Sequence, residues 1–184
     1  MDSVRCFIAL EVPEELCKKV AELGWTLSKK ITTGIKPVSQ KNIHITLRFL
    51  GEMGAGKLSQ VGTALDALRD SGSFEIKLRG LGGFPNHHQP RVVWVGVEAP
   101  LLLNLKKQVD SAIFQLGFSP ESRFAGHLTV ARVRTPEGQK LARDFIKEGV
   151  GLEIGSFTAK EVVLKQSILS SAGPEYRVIR GVKL

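Results

Sequence analysis

The sequence predicts an α+β fold. The expected molecule is bilobal, with duplicated β-α-β-α-β units related by a pseudo-twofold axis. Mostly antiparallel sheets face a central cleft, and helices lie outside. Three observations predict it. Stretches of alternating apolar and polar residues, the mark of half-buried strands, take turns with stretches of helical apolar spacing. The order of these stretches starts over near mid-chain, as a duplicated unit requires. One motif, His-x-Thr-x with x aliphatic, occurs once in each half, at His44-Ile45-Thr46-Leu47 and His127-Leu128-Thr129-Val130. The two copies stand 83 residues apart (127 − 44) in a chain of 184.

The elements follow in order. Val4 to Val12 alternates, with Val4, Cys6, Ile8, Leu10 and Val12 on one face of a strand. Pro13-Glu14-Glu15 opens a helix, with Pro in its first turn and acids at the positive end of its dipole. Leu16, Val20, Leu23, Leu27 and Ile31 keep helical spacing, and a loop with Gly34 and Pro37 follows. Asn42 to Leu50 is a second strand. A turn with Gly51, Gly54 and Gly56 leads to a helix marked by Leu58, Val61, Leu65 and Leu68. Phe74 to Leu81 is a third strand. Gly82 to Pro90 holds two Gly, two Pro and an Asn, and reads as an irregular loop. Then Val92 to Val97 is a strand, and Leu102, Leu105, Val109, Ile113 and Leu116 mark a helix. His127 to Val133 is a strand, Pro136 to Lys147 a helix, Phe157 to Leu169 a long strand and Tyr176 to Leu184 the last. No flexible linker separates the halves, 1–85 and 90–184. They form one bilobal domain, 1–184, whose lobes exchange terminal strands.

Composition narrows the function. Apolar content of 42% and charged content of 24% suit a globular chain. The longest apolar run, Val92 to Val97, is too short to cross a bilayer. The first residues lack the basic start and apolar block of a secretory signal, so a cytoplasmic protein with no membrane partner is expected. Cys6 and Cys17 make no disulfide framework and no CxxC pair; they read as reduced interior residues. The net charge of +8 attracts polyanions, and becomes informative beside a phosphate-shaped site.

The doubled motif supplies such a site. In a strand, residues i and i+2 share a face. His44 therefore stands beside Thr46, and His127 beside Thr129. If the lobes face each other, two imidazoles and two hydroxyls meet in one cleft. In-line displacement at phosphorus needs a base on one side and an acid on the other. Two imidazoles, one neutral and one protonated, supply both. Arg132, five residues after His127, could hold non-bridging oxygens. No metal and no cofactor is required in principle. The spacing alone leaves open which histidine is acid and which is base.

These residues resemble the two-histidine (2H) phosphoesterases, and most closely the bacterial and archaeal 2′-5′ RNA ligase branch, now described as RNA 2′,3′-cyclic phosphodiesterases. Support extends beyond the two motifs. Arg5 to Leu10 resembles the branch's first strand, and Arg48-Phe49-Leu50-Gly51 continues its first motif. Gly83-Phe84-Pro85 with Arg91-Val92-Val93-Trp94, Ala131-Arg132 and Gly173-Pro174-Glu175-Tyr176 match later stretches. Gly126 departs from the family's usual Pro before the second motif. The resemblance implies hydrolysis of an RNA 2′,3′-cyclic phosphate to a 2′-phosphomonoester, with reverse 2′-5′ ligation. It implies His44 as proton donor, His127 as proton acceptor, and Thr46, Thr129 and Arg132 as phosphate ligands. The implied partners are RNA ends, such as those of tRNA halves, and related nucleotides, bound by a monomer.

Weaker candidates complete the set. Arg48 shares the His44–Thr46 face by parity and is a further phosphate ligand or a surface ion-pair residue. Phe84 and Tyr176 are candidates to stack on a base, and packing serves Phe84 equally. His87-His88 reads as a solvated loop pair, and Lys165 and Ser167 as residues on one parity of the long strand. The Gly51–Gly56 stretch lacks the Lys-Ser/Thr pair of a phosphate-binding loop. Two other functions fit the same residues. A non-catalytic RNA-end or nucleotide-binding module would not need two ionisable imidazoles. A metallo-phosphodiesterase would need carboxylate ligands that the motifs lack.

Overall fold

The structure is a computed structural model that describes residues 3–184 except 32, 122 and 172. The strands are β1 (Val4–Leu10), β2 (Ile35–Pro37), β3 (Ile45–Met53), β4 (Phe74–Phe84), β5 (Val92–Glu98), β6 (His127–Val133), β7 (Glu153–Ala159), β8 (Glu161–Ser170) and β9 (Gly173–Lys183). The helices are α1 (Glu14–Ser28), α2 (Ala55–Ala64), α3 (Leu102–Phe114) and α4 (Pro136–Glu148). Short 3-10 turns cover Gln40–Asn42 and Leu65–Leu68.

The strands form two antiparallel sheets, ordered β3-β1-β8-β9 and β2-β6-β5-β4-β7. Each sheet draws on both halves of the chain. β4, from the first half, lies beside β5; β8, from the second, lies beside β1. The order β3-β1-β8 thus repeats as β6-β5-β4, which is the duplicated unit with its third strand exchanged. Helices are exchanged too. α1 packs on β2 and β6, α4 on β4 and β6, and α3 on β3. Gly24 lets α1 settle directly on β6, since a Cβ there would lie 2.6 Å from the Val130 carbonyl oxygen. The apolar faces of both sheets and all four helices share one core, from Ile8 and Leu10 to Val95, Leu128 and Val130.

Several boundaries differ from the sequence reading, and four of them bear on the architecture. The expected strand from Phe157 to Leu169 is two strands: β7 ends in one sheet and β8 starts in the other, with Lys160 between them. The apolar alternation runs through this crossing with no Gly or Pro to mark it. Gly82 to Phe84 belong to β4, not to a loop. A Cβ on Gly82 would lie 2.1 Å from the Trp94 ring, so this glycine makes room for a side chain. Ile35–Pro37, expected as loop, is the edge strand β2; Pro37 is tolerated because an edge needs no donor on its outer side. The second strand starts at Ile45, since a 3-10 turn occupies Gln40–Asn42.

Arg48 needs a larger correction. It is 8% exposed and lies on the core side of β3. Its guanidinium meets Asp110 at 3.3 Å and donates to the Ser119 carbonyl at 2.6 Å. Lys106 grips both oxygens of Asp110, at 2.7 and 2.6 Å, and reaches Glu121 at 3.2 Å. This network ties α3 to β3, joining the two halves under the sheet. Arg48 is a structural residue, neither a phosphate ligand nor part of a surface pair.

Candidate active site

Both histidines are held in the same way. His44 precedes β3 and His127 opens β6. Each donates its Nδ1–H to the carbonyl two residues back: His44 to Asn42 and His127 to Ala125, both at 2.8 Å. That bond fixes the tautomer and leaves Nε2 as the working nitrogen. Thr46 Oγ1 lies 3.0 Å from His44 Nε2 and donates to it when the ring is neutral. Asn42 is itself tied down, its amide donating to the Pro174 carbonyl at 2.7 Å.

Aromatic rings flank each imidazole. Phe7 and Tyr176 lie 4.7 and 5.2 Å from His44, centroid to centroid. Phe84 and Trp94 lie 4.9 and 6.4 Å from His127. Phe84 and Tyr176 therefore meet the site edge-on, each against a histidine.

Two β-bulges decide which later residues reach the cleft. In β6, Thr129 pairs with Trp94 and Ala131 with Val93, so Val130 is the extra residue. A bulge resets the alternation. Arg132, an odd five residues from His127, pairs with Val92 and so regains the face of Thr129 and Trp94. In β3, Leu47 is the extra residue: Thr46 pairs with Ala9 and Arg48 with Ile8. Ala9 faces the cleft with Phe7, whereas Ile8 faces the core. The same device thus brings Arg132 to the site and takes Arg48 away. Phe49, the counterpart of Arg132 five residues after His44, pairs with Phe7 and is 62% exposed.

The site is electrostatically positive. Burial pushes the His44 pKa down to about 4, against a smaller opposing pull from the Asn42 carbonyl; Lys165 and His127 push it further down. Burial also lowers His127, as does the charge of Arg132. His44 thus feels the charge of the second motif's histidine, while His127 feels that of Arg132 on its own strand; β3 touches β6. Tyr176 is raised by burial, with Arg132 and Arg5 opposing. Both shifts favour the neutral imidazole.

Other sequence candidates fall into place. Lys165 is buried on the cleft face opposite Phe7 and pairs with Glu11 at 2.6 Å. Ser167 pairs with Tyr176 across β8 and β9. His87 and His88 are exposed in the β4–β5 connection, where Asn86 Oδ1 accepts from the His88 and Gln89 amides. Phe7, Phe49, Trp94 and the Glu11–Lys165 pair were missed, although the period-two pattern of the first strand already placed Phe7 and Glu11 on one face. Both cysteines are free and buried; burial, then Glu11, pushes Cys17 up to about 11. Among the described residues, no three His, Cys, Asp or Glu side chains gather to hold a metal ion, and no helix is long and apolar enough to cross a membrane.

Comparison with known proteins gives the family. A family model described as LigT like Phosphoesterase matches twice, over residues 10–94 and 95–176, one match per copy of the motif. An RNA 2′,3′-cyclic phosphodiesterase of Methanothermobacter thermautotrophicus is 40% identical over 94% of this chain and 95% of its own. One of Archaeoglobus fulgidus is 38% identical over 96% and 98%. A crystal structure from Thermus thermophilus superposes with a TM-score of 0.79 at 29% identity, covering 98% of this chain and 97% of that one. Escherichia coli LigT, solved with 3′-AMP, shares the fold with a TM-score of 0.77 at 24% identity, over 100% and 99%. With both halves matched and both motifs in place, the chain belongs to the LigT-like phosphoesterase family of 2H phosphoesterases.

Proposed function

We propose that the chain is an RNA 2′,3′-cyclic phosphodiesterase, and that His44 and His127 perform the chemistry. The observation that carries this reading is the paired tethering of the rings. Each Nδ1 is committed to a backbone carbonyl, which leaves Nε2 for chemistry (that of His44 beside the Thr46 hydroxyl), and Arg132 lies on the same face as Thr129. Neutral His127 takes a proton from water as its oxygen attacks phosphorus. The bond from phosphorus to O3′ breaks, and protonated His44 gives its proton to O3′. A 2′-phosphomonoester and a free 3′-hydroxyl result. Arg132, Thr46 and Thr129 hold the non-bridging oxygens, and the Thr46 hydroxyl turns from His44 to the phosphate as substrate enters.

Bound phosphate also prepares the acid. Its negative charge raises both imidazole pKa values, so one ring becomes protonated as the substrate arrives. With a 5′-hydroxyl in place of water, the same ring opening makes a 2′-5′ bond with His127 as base and His44 as acid; cleavage of that bond back to the ring exchanges the two roles. All groups named come from one chain, which suits a monomer. RNA ends, tRNA halves among them, and related nucleotides suit a reduced compartment such as the cytoplasm.

The test is an oligonucleotide ending in a 2′,3′-cyclic phosphate, incubated with the protein in excess chelator. The expected product carries a 2′-phosphate. A 3′-phosphate would mean that the leaving oxygen is assigned wrongly, and loss of turnover in chelator would favour a metal-dependent site.

A further inference from the structure

A cavity of about 560 Å³ adjoins the cleft. Arg132 and Tyr176 line both, but neither histidine lines the cavity. Its walls come from α1, the stretch from β2 through the 3-10 turn, the end of β6 and the β8–β9 hairpin. The volume falls in the range of sites for ligands of nucleotide size.

Charge and aromatic exposure identify the ligand class. Four cations, Lys36, Lys41, Arg132 and Arg134, line the cavity with one carboxylate, Glu175. That carboxylate is already paired with Arg177 at 3.2 Å. None of the four cations has a carboxylate partner among the described residues. On the same wall stands Trp25, 55% exposed at the surface of α1, where Gly24 seats the helix against β6. Trp is costly to leave in water, and its face stacks readily on any base. Unpaired cations beside an exposed indole are what a single-stranded polynucleotide needs.

We propose that this groove binds the RNA strand on the 5′ side of the cyclic end. Trp25 stacks on the base of an upstream nucleotide, and Lys36, Lys41 and Arg134 hold the phosphates leading to the terminal one. Arg132 is the joint between this groove and the cleft. The inference rests on the proposed function and adds a substrate class to it: a single-stranded 3′ end of several nucleotides is preferred to a free cyclic mononucleotide.

The experiment compares a nucleoside 2′,3′-cyclic monophosphate with a tetranucleotide ending in the same group. The variants are Trp25→Ala and the double change Lys36→Ala/Lys41→Ala. Binding of a fluorescein-labelled tetranucleotide bearing a 2′-phosphate is followed by anisotropy, so a readout exists without turnover. Trp25→Ala is expected to raise KM and Kd for the tetranucleotides roughly tenfold, within what one stacked base supplies. The mononucleotide kinetics should not change, which also reports an intact fold. The double change should flatten the dependence of log Kd on log salt by about 1.4, or about 0.7 per phosphate contact on a single strand. Equal losses on both substrates would assign the groove to the terminal nucleoside and overturn the proposal. Unchanged KM and Kd for the tetranucleotides would overturn it as well. If the unaltered protein cleaves neither substrate, the proposed function fails, and anisotropy still decides on the groove.

Discussion

At the scale of the residue, the two imidazoles are set by the same bond. Donation of Nδ1–H to the carbonyl two positions back fixes the ring and exposes Nε2. Such a contact is encoded by the His and the local backbone alone, which is why the doubled His-x-Thr-x could be read from sequence. Arg132 was named from its nearness to the second motif, but the strand geometry that separates it from Arg48 could not be read. By parity Arg48 should face the cleft and Arg132 should not; one bulged residue in each strand reverses both. Burial holds both imidazole pKa values below 6.5, with His44 at about 4. The active form needs one protonated and one neutral ring. It is depleted above both values, where no acid remains, and below both, where no base remains. The kcat/KM profile reports the free protein. It should therefore be bell-shaped with its maximum on the acid side of 6.5, measured on the cyclic mononucleotide across pH 4–9. A plateau that persists above pH 7.5 would mean that burial does not govern these rings.

At the scale of the element, regular alternation made most strands and all four helices legible. α4 is a clear instance: Thr135 caps it, accepting from the Gly138 amide at 3.2 Å, and Pro136 opens it. What escaped was governed by distant partners. β2 is a three-residue strand that exists because β6 lies beside it. Gly82 of β4 looks like a loop residue until Trp94 is placed against it, and Gly83 until Pro90 and Ile146 are. The ion network under β3 joins groups far apart in sequence, Arg48 with Lys106, Asp110 and Glu121. Removing Asp110 leaves two buried cations with only the more exposed Glu121 as a shared anion. Asp110→Ala should therefore destabilise the protein by about 3 kcal/mol, read from urea unfolding followed by circular dichroism. A change below about 0.5 kcal/mol, the size typical of an exposed pair, would show the network to be solvated.

At the scale of the whole molecule, duplication produces two lobes that cannot be separated by cutting the chain in the middle. The chain enters one sheet with β1, visits the other with β2, comes back with β3, crosses again with β4, and returns with β8 after Lys160. The repeat was visible in sequence because its motif and its order of elements recur. Which strands pair was not, because an alternating strand carries no address for its neighbour. A fragment of residues 1–85 would hold β1 and β3 without β8, and β4 without β5 or β7. It should show no cooperative thermal transition, whereas the full chain should. A sharp melt from the fragment would mean that each half folds by itself.

The claim on which the rest depends is that two imidazoles act together on one phosphorus. Its most direct test is turnover of a 2′,3′-cyclic phosphate by His44→Ala, His127→Ala and the double variant, with product binding measured alongside. Each single change should lower kcat by about 10²–10⁴-fold. The double change should cost far less than the product of the two, because the pair works as a unit, and the 2′-phosphorylated product should still bind. Turnover at the unaltered rate in either single variant would contradict the account, leaving a module that binds RNA ends without cleaving them.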